Sequence, residues 1–264
     1  MKRLSILHSF QFVALSLLSA AISLIVAPST KAATLKTIDL TALPGFININ
    51  NINGFGSAVY RANLADIGDN YDITSIIITD IVGLSGGSPG KFTGFDLDAI
   101  KLSYQKIDKA EDILDSNIVW LDVFDFTPAS TILTPGTILT AGTQRDTNNP
   151  AFVGALFGTN GQDIDNNVAT LDKFDAVAIA DQRANGFVSL GDDGKVVFQL
   201  KNSVLTTVPL YLYIAEVGGN GEKAKGEIIA VVQKVNIPEP TSLAALSLMG
   251  VYFTTSIKKK KKPI

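Results

Sequence analysis

Phe95-Asp-Leu-Asp-Ala-Ile-Lys-Leu-Ser-Tyr104 alternates apolar and polar positions more cleanly than any other stretch of the chain. Successive strand side chains point to opposite faces. Phe95, Leu97 and Ala99 are therefore expected to share a face with Lys101, and Asp96 and Asp98 to share the other with Ile100 and Leu102. On that reading Asp96 and Asp98 are solvated acids on an outward face. Working outward, Asp72–Val82 contains the β-branched run Ile76-Ile77-Ile78 between Asp/Asn residues and a glycine-rich stretch, and reads as a buried strand. Thr34–Leu40, Ile118–Phe126, Asp175–Ala180, Leu210–Glu216 and Glu227–Val235 read as further strands. Phe187–Leu190, Gly191-Asp-Asp-Gly194 and Lys195–Leu200 read as a hairpin, the Asp-Gly step supplying the positive φ of a tight turn. Asn48–Ser57 reads as a loop or irregular edge, Lys106–Leu114 as a short helical turn or charged loop, and Ala151–Gly158 as a short helix or strand. Thr127–Pro150, with the near-repeat Thr131-Ile-Leu-Thr-Pro-Gly136 and Thr137-Ile-Leu-Thr-Ala-Gly142, reads as a long surface loop or short hairpin. About eight to ten short strands separated by Gly/Asn/Asp turns predict an all-β body, a β-sandwich or jelly roll.

Composition narrows the chemistry. The 264 residues contain no Cys, and the only His is His8. Disulfide, zinc-thiolate and Cys-nucleophile chemistry are excluded, and the body lacks the imidazole of a Ser-His-Asp triad. Residues 33–237 carry 14 Lys+Arg against 24 Asp+Glu, a net of −10, although the whole chain is only −3. An acidic body of this kind does not suit nucleic acid.

The two ends hold the missing positive charge. Lys2 and Arg3 precede an apolar stretch, strongest from Phe12 to Ala27, and Thr30-Lys31-Ala32 closes it with small residues at −3 and −1. Residues 1–32 are expected to be a secretory signal cleaved after Ala32, with Ala33 as the next candidate. At the other end, Pro238 and Pro240 hold Ile237–Pro240 extended, because each fixes φ and disfavours helix before it. Thr241–Ile257 carries no charge; at about 1.5 Å per residue, roughly 17 residues span about 25 Å, slightly less than a hydrocarbon core. Lys258, Lys259, Lys260, Lys261 and Lys262 then form a cationic stop that marks the cytoplasmic side. An ordinary single-pass anchor is the competing reading of this tail. The organisation expected is a signal peptide at 1–32, an exported β domain at 33–236 and a tail at 237–264, the body flanked by an N-terminal signal helix and a C-terminal transmembrane helix.

The order Pro-Glu-Pro, short apolar span, basic cluster resembles the PEP-CTERM sorting signal of Gram-negative bacteria. Pro238-Glu239-Pro240-Thr241-Ser242-Leu243 is similar to its cyanobacterial version. The resemblance covers about the last tenth of the chain, and the cluster is lysine only where arginine is common in the family. It implies an exosortase partner, a membrane-embedded cysteine transpeptidase-like enzyme that recognises the motif and removes the helix. Gly94–Leu102, Gly186–Gly194 and Tyr213–Gly221 resemble phrases of secreted PEP-CTERM proteins of cyanobacteria. That likeness implies a β-sandwich, some members being similar to galactose-binding-like modules, and carries no activity.

Candidate chemistry in the body is sparse. Asp96/Asp98 and Asp122/Asp125 are carboxylate pairs of the kind that cleave glycosidic bonds, set against a plainer role as strand-face acids. Asp163-Ile-Asp165-Asn-Asn167 begins like a calcium loop, but Val168 replaces the turn glycine and Phe174 the bidentate Glu, so Asp163, Asp165 and Asn167 are weak calcium candidates. Asp192-Asp193 is more simply a turn. Trp120, the only tryptophan, and Tyr60, Tyr71, Tyr104, Tyr211 and Tyr213 are candidate sugar platforms, although aromatics in strands more often pack against neighbours. No cofactor is expected beyond calcium. The expectation is a non-enzymatic exported protein of the outer surface or extracellular matrix, reached through translocon, signal peptidase, membrane and exosortase, and associated with exopolysaccharide and biofilm. A surface carbohydrate-binding module and a carboxylate-only glycan hydrolase are the alternatives.

Overall fold

The computed structural model describes residues 33–48, 56–68, 71–82, 90–138, 153–178, 184–219 and 221–232. Ala32, Pro238, Glu239, Pro240 and Lys258 to Lys262 lie outside the described residues, as do both expected terminal helices. Among the described residues no helix is long and apolar enough to cross a membrane.

The body is all-β. Its strands are β1 (Ala33–Ile38), β2 (Thr41–Ala42), β3 (Ala58–Asn63), β4 (Tyr71–Asp80), β5 (Asp96–Ser103), β6 (Thr131–Thr134), β7 (Thr159–Asn160), β8 (Asp163–Ile164), β9 (Val177–Ala178), β10 (Ala184–Asn185), β11 (Val188–Ser189), β12 (Lys195–Leu205), β13 (Tyr211–Glu216) and β14 (Ala224–Val232). The only helical elements among the described residues are short 3-10 turns, one of them at Glu111–Leu114 inside the segment expected as helical turn or charged loop. Two five-stranded antiparallel sheets carry the structure, in the orders β1-β14-β4-β12-β6 and β11-β5-β13-β3-β2. Their inner faces share one core. Ile73, Ile76 and Ile78 of β4, Val196 and Phe198 of β12 and Ile228 of β14 pack with Leu97, Ile100 and Leu102 of β5 and Leu212 and Ile214 of β13. The arrangement is sandwich-like, and burial of these aliphatic faces is its main driving force.

Two expectations are corrected. Phe187–Leu200 is not a hairpin: β11 lies in the second sheet and β12 in the first. The reason lies in the connection, where Gly191 packs against Gly94 and Gly136. A Cβ on Gly94 would stand 2.5 Å from the Gly191 backbone, and one on Gly136 would stand 2.2 Å from the Asp192 carbonyl oxygen. Three chain segments meet there, and the Asp-Gly step (Asp193 at φ 61) turns the chain across the sandwich instead of back on itself. Ile118–Phe126 is not a ladder strand either. It is an extended segment that hands over from one sheet to the other. The N–H of Leu121 donates to Leu102 of β5 at 2.9 Å, and the N–H of Lys201 in β12 donates to Val123 at 2.8 Å.

The opening stretch departs from strict alternation. Ile214 stands opposite Ile100 while Glu216 stands opposite Leu97, so three steps on β5 match two on β13. Such a bulge resets the faces. Leu97, Ile100 and Leu102 all join the main core, and Ala99 packs with Val59, Tyr213 and Ala215 on the other side of the sheet. Asp96 and Asp98 lie on that other side too, yet they are buried, not solvated, because Ser189 and the loop at Asp175 and Ala176 cover them.

Candidate functional site

The handover segment places Trp120 beside β5. Upstream, Asp115 accepts the Asn117 N–H at 2.9 Å, which turns the chain; the Val119 N–H then reaches Gln105 Oε1 at 2.6 Å, and Ser103 Oγ donates to the Val119 carbonyl at 2.9 Å. These bonds hold the half-buried indole over the outer side of the second sheet. Its ring lies 5.6 Å from Phe174 and 5.6 Å from Tyr213, the latter edge-on, and the Lys101 ammonium sits 5.5 Å from its centroid. Tyr213 is a fixed support. Its hydroxyl accepts the Ile107 N–H at 2.7 Å and donates to the Gln105 carbonyl at 2.9 Å. Burial is the main cause that pushes its phenol up to about 12.

Beside Trp120 runs an open cleft of about 200 Å³, with Lys101, Leu121, Asp122, Phe126 and Asp172 among its lining residues. Asp172 arrives on a loop pinned where the Ile100 N–H donates to the Leu171 carbonyl at 3.1 Å. Burial lowers the pKa of Lys101 below the ordinary lysine value, and the nearby carboxylates of Asp172 and Asp122 oppose that shift. Asp122 also pairs with Lys201 at 2.6 Å on the exposed rim. The cleft therefore offers an ammonium donor between carboxylate acceptors, next to aromatic edges. It is smaller than sites for drug-sized ligands.

The expected carboxylate pairs do not form. Asp96 accepts from Ser189 Oγ on the neighbouring β11, and Asp98 Oδ1 accepts the N–H groups of Asp175 at 3.2 Å and Ala176 at 3.1 Å. Burial pushes the Asp98 carboxyl up to about 7, against the opposing hydrogen bonds from Ala176, Ser57 and Asp175. Asp122 lines the cleft, whereas Asp125 caps the turn before β6, accepting the Thr127 N–H at 3.0 Å and Ser130 Oγ at 2.9 Å. Those bonds hold the Asp125 carboxyl below the usual carboxylate range.

The calcium candidates form a turn. Asp165 Oδ1 accepts both the backbone N–H and the side-chain Nδ2 of Asn167, at 3.0 and 3.1 Å, while Asp163 opens β8 and is exposed. Among the described residues no three acidic side chains stand together as a metal-ligand group. Of the tyrosines, Tyr60 is buried and donates to the Glu222 carbonyl at 2.7 Å; Tyr104 is exposed; Tyr71 lies under the Lys36 ammonium at 5.0 Å, and Tyr211 lies 6.0 Å from Arg61. Ala33, the second cleavage candidate, is the first residue of β1.

A feature without a local sequence signal is the acid cluster at the far end of the second sheet. Glu216 ends β13 and is fully buried; its Oε2 accepts the Gly219 N–H at 3.1 Å. Burial, then Glu222, then Asp96 push its pKa well up. Burial, followed by Glu216 and Glu222, pushes Tyr60 up to about 12. These carboxyls come from β5, β13 and the turn before β14, and only the fold brings them together.

No family model matches the chain, and no curated protein or solved structure matches it.

Proposed function

We propose that the chain is a non-enzymatic exported protein, sorted through Pro238-Glu239-Pro240 by an exosortase to the outer surface or extracellular matrix, where its β body associates with exopolysaccharide. The observation that carries this reading is the order of three devices in residues 237–264: stiff motif, uncharged span, lysine block. A cationic end beyond an apolar span stops transfer and leaves the upstream body outside the cytoplasm. The all-β body with its acidic composition is compatible with such an address. The test replaces Pro238, Glu239 and Pro240 together by alanine in native cells, followed by fractionation. The expected result is export with retention in the membrane fraction. Release equal to the unaltered protein would contradict the sorting reading.

The Trp120 cleft favours a second reading, a carbohydrate-binding module at the same address. Sugar rings present C–H faces to aromatics and hydroxyls to charged groups, and Lys101, Asp122 and Asp172 meet aromatic side chains in this cleft. The hydrolase reading is weaker, because Asp96 and Asp98 are buried and hydrogen-bonded within the sheet. The modules of galactose-binding-like or jelly-roll type remain part of this proposal, as finer versions of the all-β fold.

A further inference from the structure

Both covalent continuations leave the β body at one end. Ala33 stands opposite Val231, Val231 opposite Asp72, and Asp72 opposite Leu205. These four residues form one row across the first sheet, so residues 1–32 and 233–264 depart from adjacent strands, about 4.8 Å apart. The same end carries the turn Leu205-Thr-Thr-Val-Pro-Leu210, which has no charge. Thr206 fixes the turn. Its N–H donates to the Tyr71 carbonyl at 3.1 Å, and its hydroxyl donates to the Gly68 carbonyl at 2.9 Å. With that backbone held, Leu205 and Val208 stand exposed at 37% and 46%. The opposite end, where Ala224 pairs with Asp80 and Lys195 with Thr79, carries Asp80, Asp96, Asp192, Asp193, Glu216 and Glu222, of which Asp193 alone is fully exposed, together with the exposed Lys195, Lys223 and Lys225.

We propose that the end carrying Ala33, Val231 and the Leu205–Leu210 turn faces the lipid bilayer while the tail is in place, with Leu205 and Val208 resting on the membrane surface. The proposal rests on reading residues 237–264 as a membrane-inserted sorting tail. Chain length supports it. From Val232 to Ser242 the tether reaches at most about 35 Å when fully extended. β12 alone, running from Lys195 at the acidic end to Leu205, is about 35 Å long. The acidic end therefore touches the bilayer only with the tether stretched out, whereas the uncharged turn meets it at little cost in chain entropy.

The absence of cysteine makes the test clean. Full-length chains with Val208→Cys, Leu205→Cys or Lys195→Cys are made in the presence of liposomes, labelled with an environment-sensitive fluorophore, and quenched by lipids carrying a nitroxide near the headgroup. Flotation is measured in parallel. The expected result is co-flotation, with quenching at Val208 and Leu205 at least about twofold stronger than at Lys195, since surface-resting apolar groups sit within about 10 Å of the acyl boundary. Equal or reversed quenching in chains that float overturns the orientation and leaves the tail reading intact. Chains that fail to float overturn the tail reading and this proposal with it.

Discussion

Two groups of acids sit on or beside the second sheet and behave in opposite ways. Asp122 and Asp172 are exposed beside the Lys101 ammonium and the Trp120 ring, where water and a cation keep carboxylates available to a ligand. Asp96, Asp98, Glu216 and Glu222 are buried, and burial is the first cause that raises the pKa of both Asp98 and Glu216. The residue type is the same, and the surroundings decide the chemistry. The cleft opens to solvent, and a ligand is proposed for it. The buried acids are covered by loops, which they tie to the sheet.

The largest expected effect tests the buried group. Asp98 has a folded-state pKa of about 7 against an ordinary 3.8. Between those values the folded state binds the extra proton, so stability is greatest below the lower value, falls as pH rises, and levels off above the upper one. About 3 pKa units correspond to an order of 4 kcal/mol. Asp98→Asn keeps an acceptor for the Asp175 and Ala176 N–H groups and removes the charge. Urea unfolding is expected to show the variant close to the parent at pH 4 and more stable by up to a few kcal/mol at pH 8. Parallel curves at the two pH values would erase the contrast between the two acid groups.

The cleft is tested next. Trp120→Ala is expected to weaken retention on an acidic or neutral exopolysaccharide by roughly 10- to 100-fold, on the scale of an aromatic anchor. Trp120 also packs on Phe174 and Tyr213, so circular dichroism must show the fold retained. Asp172→Asn sharpens the point. It is expected to lower affinity with little change in the melting temperature, because Asp172 is exposed. Unchanged retention in both variants would leave the cleft as surface relief.

The smallest effect falls on the rim. Lys201→Ala removes the exposed pair with Asp122 and is expected to change stability by less than about 1 kcal/mol, the range of exposed ion pairs. Retention on polysaccharide is expected to change more than stability, because Asp122 is then free to meet a ligand. A stability loss of several kcal/mol would show that the rim is part of the core.

Much of the fold was legible where the signal is local. The segments around Ile76-Ile77-Ile78, Phe95–Tyr104 and Leu210–Glu216 are strands, as are Ala33–Ile38 and Ala224–Val232 near the predicted places. What was not legible depends on distant partners. Ala58–Asn63 has no clear alternation, and it is a strand because β13 pairs along its whole length. The bulge opposite Ile214 is a property of two strands: it puts Ile100 and Leu102 on the face of Leu97 and leaves Asp96 and Asp98 on the other, where Ser189 and the loop at Asp175 and Ala176 cover them. The same holds for the site. Trp120 was legible as the one indole, but Lys101 and Asp172 join it only through the sheet and a loop pinned at Ile100. Glu216 and Glu222 carry no spacing signal at all.

The sorting reading turns on how the exported chain ends. Intact-mass measurement of the exported protein from native cells reads that end in one step. The expected result is a C-terminus near Pro238, with the uncharged span and Lys258 to Lys262 removed. Exported protein that still carries the lysine block would contradict it.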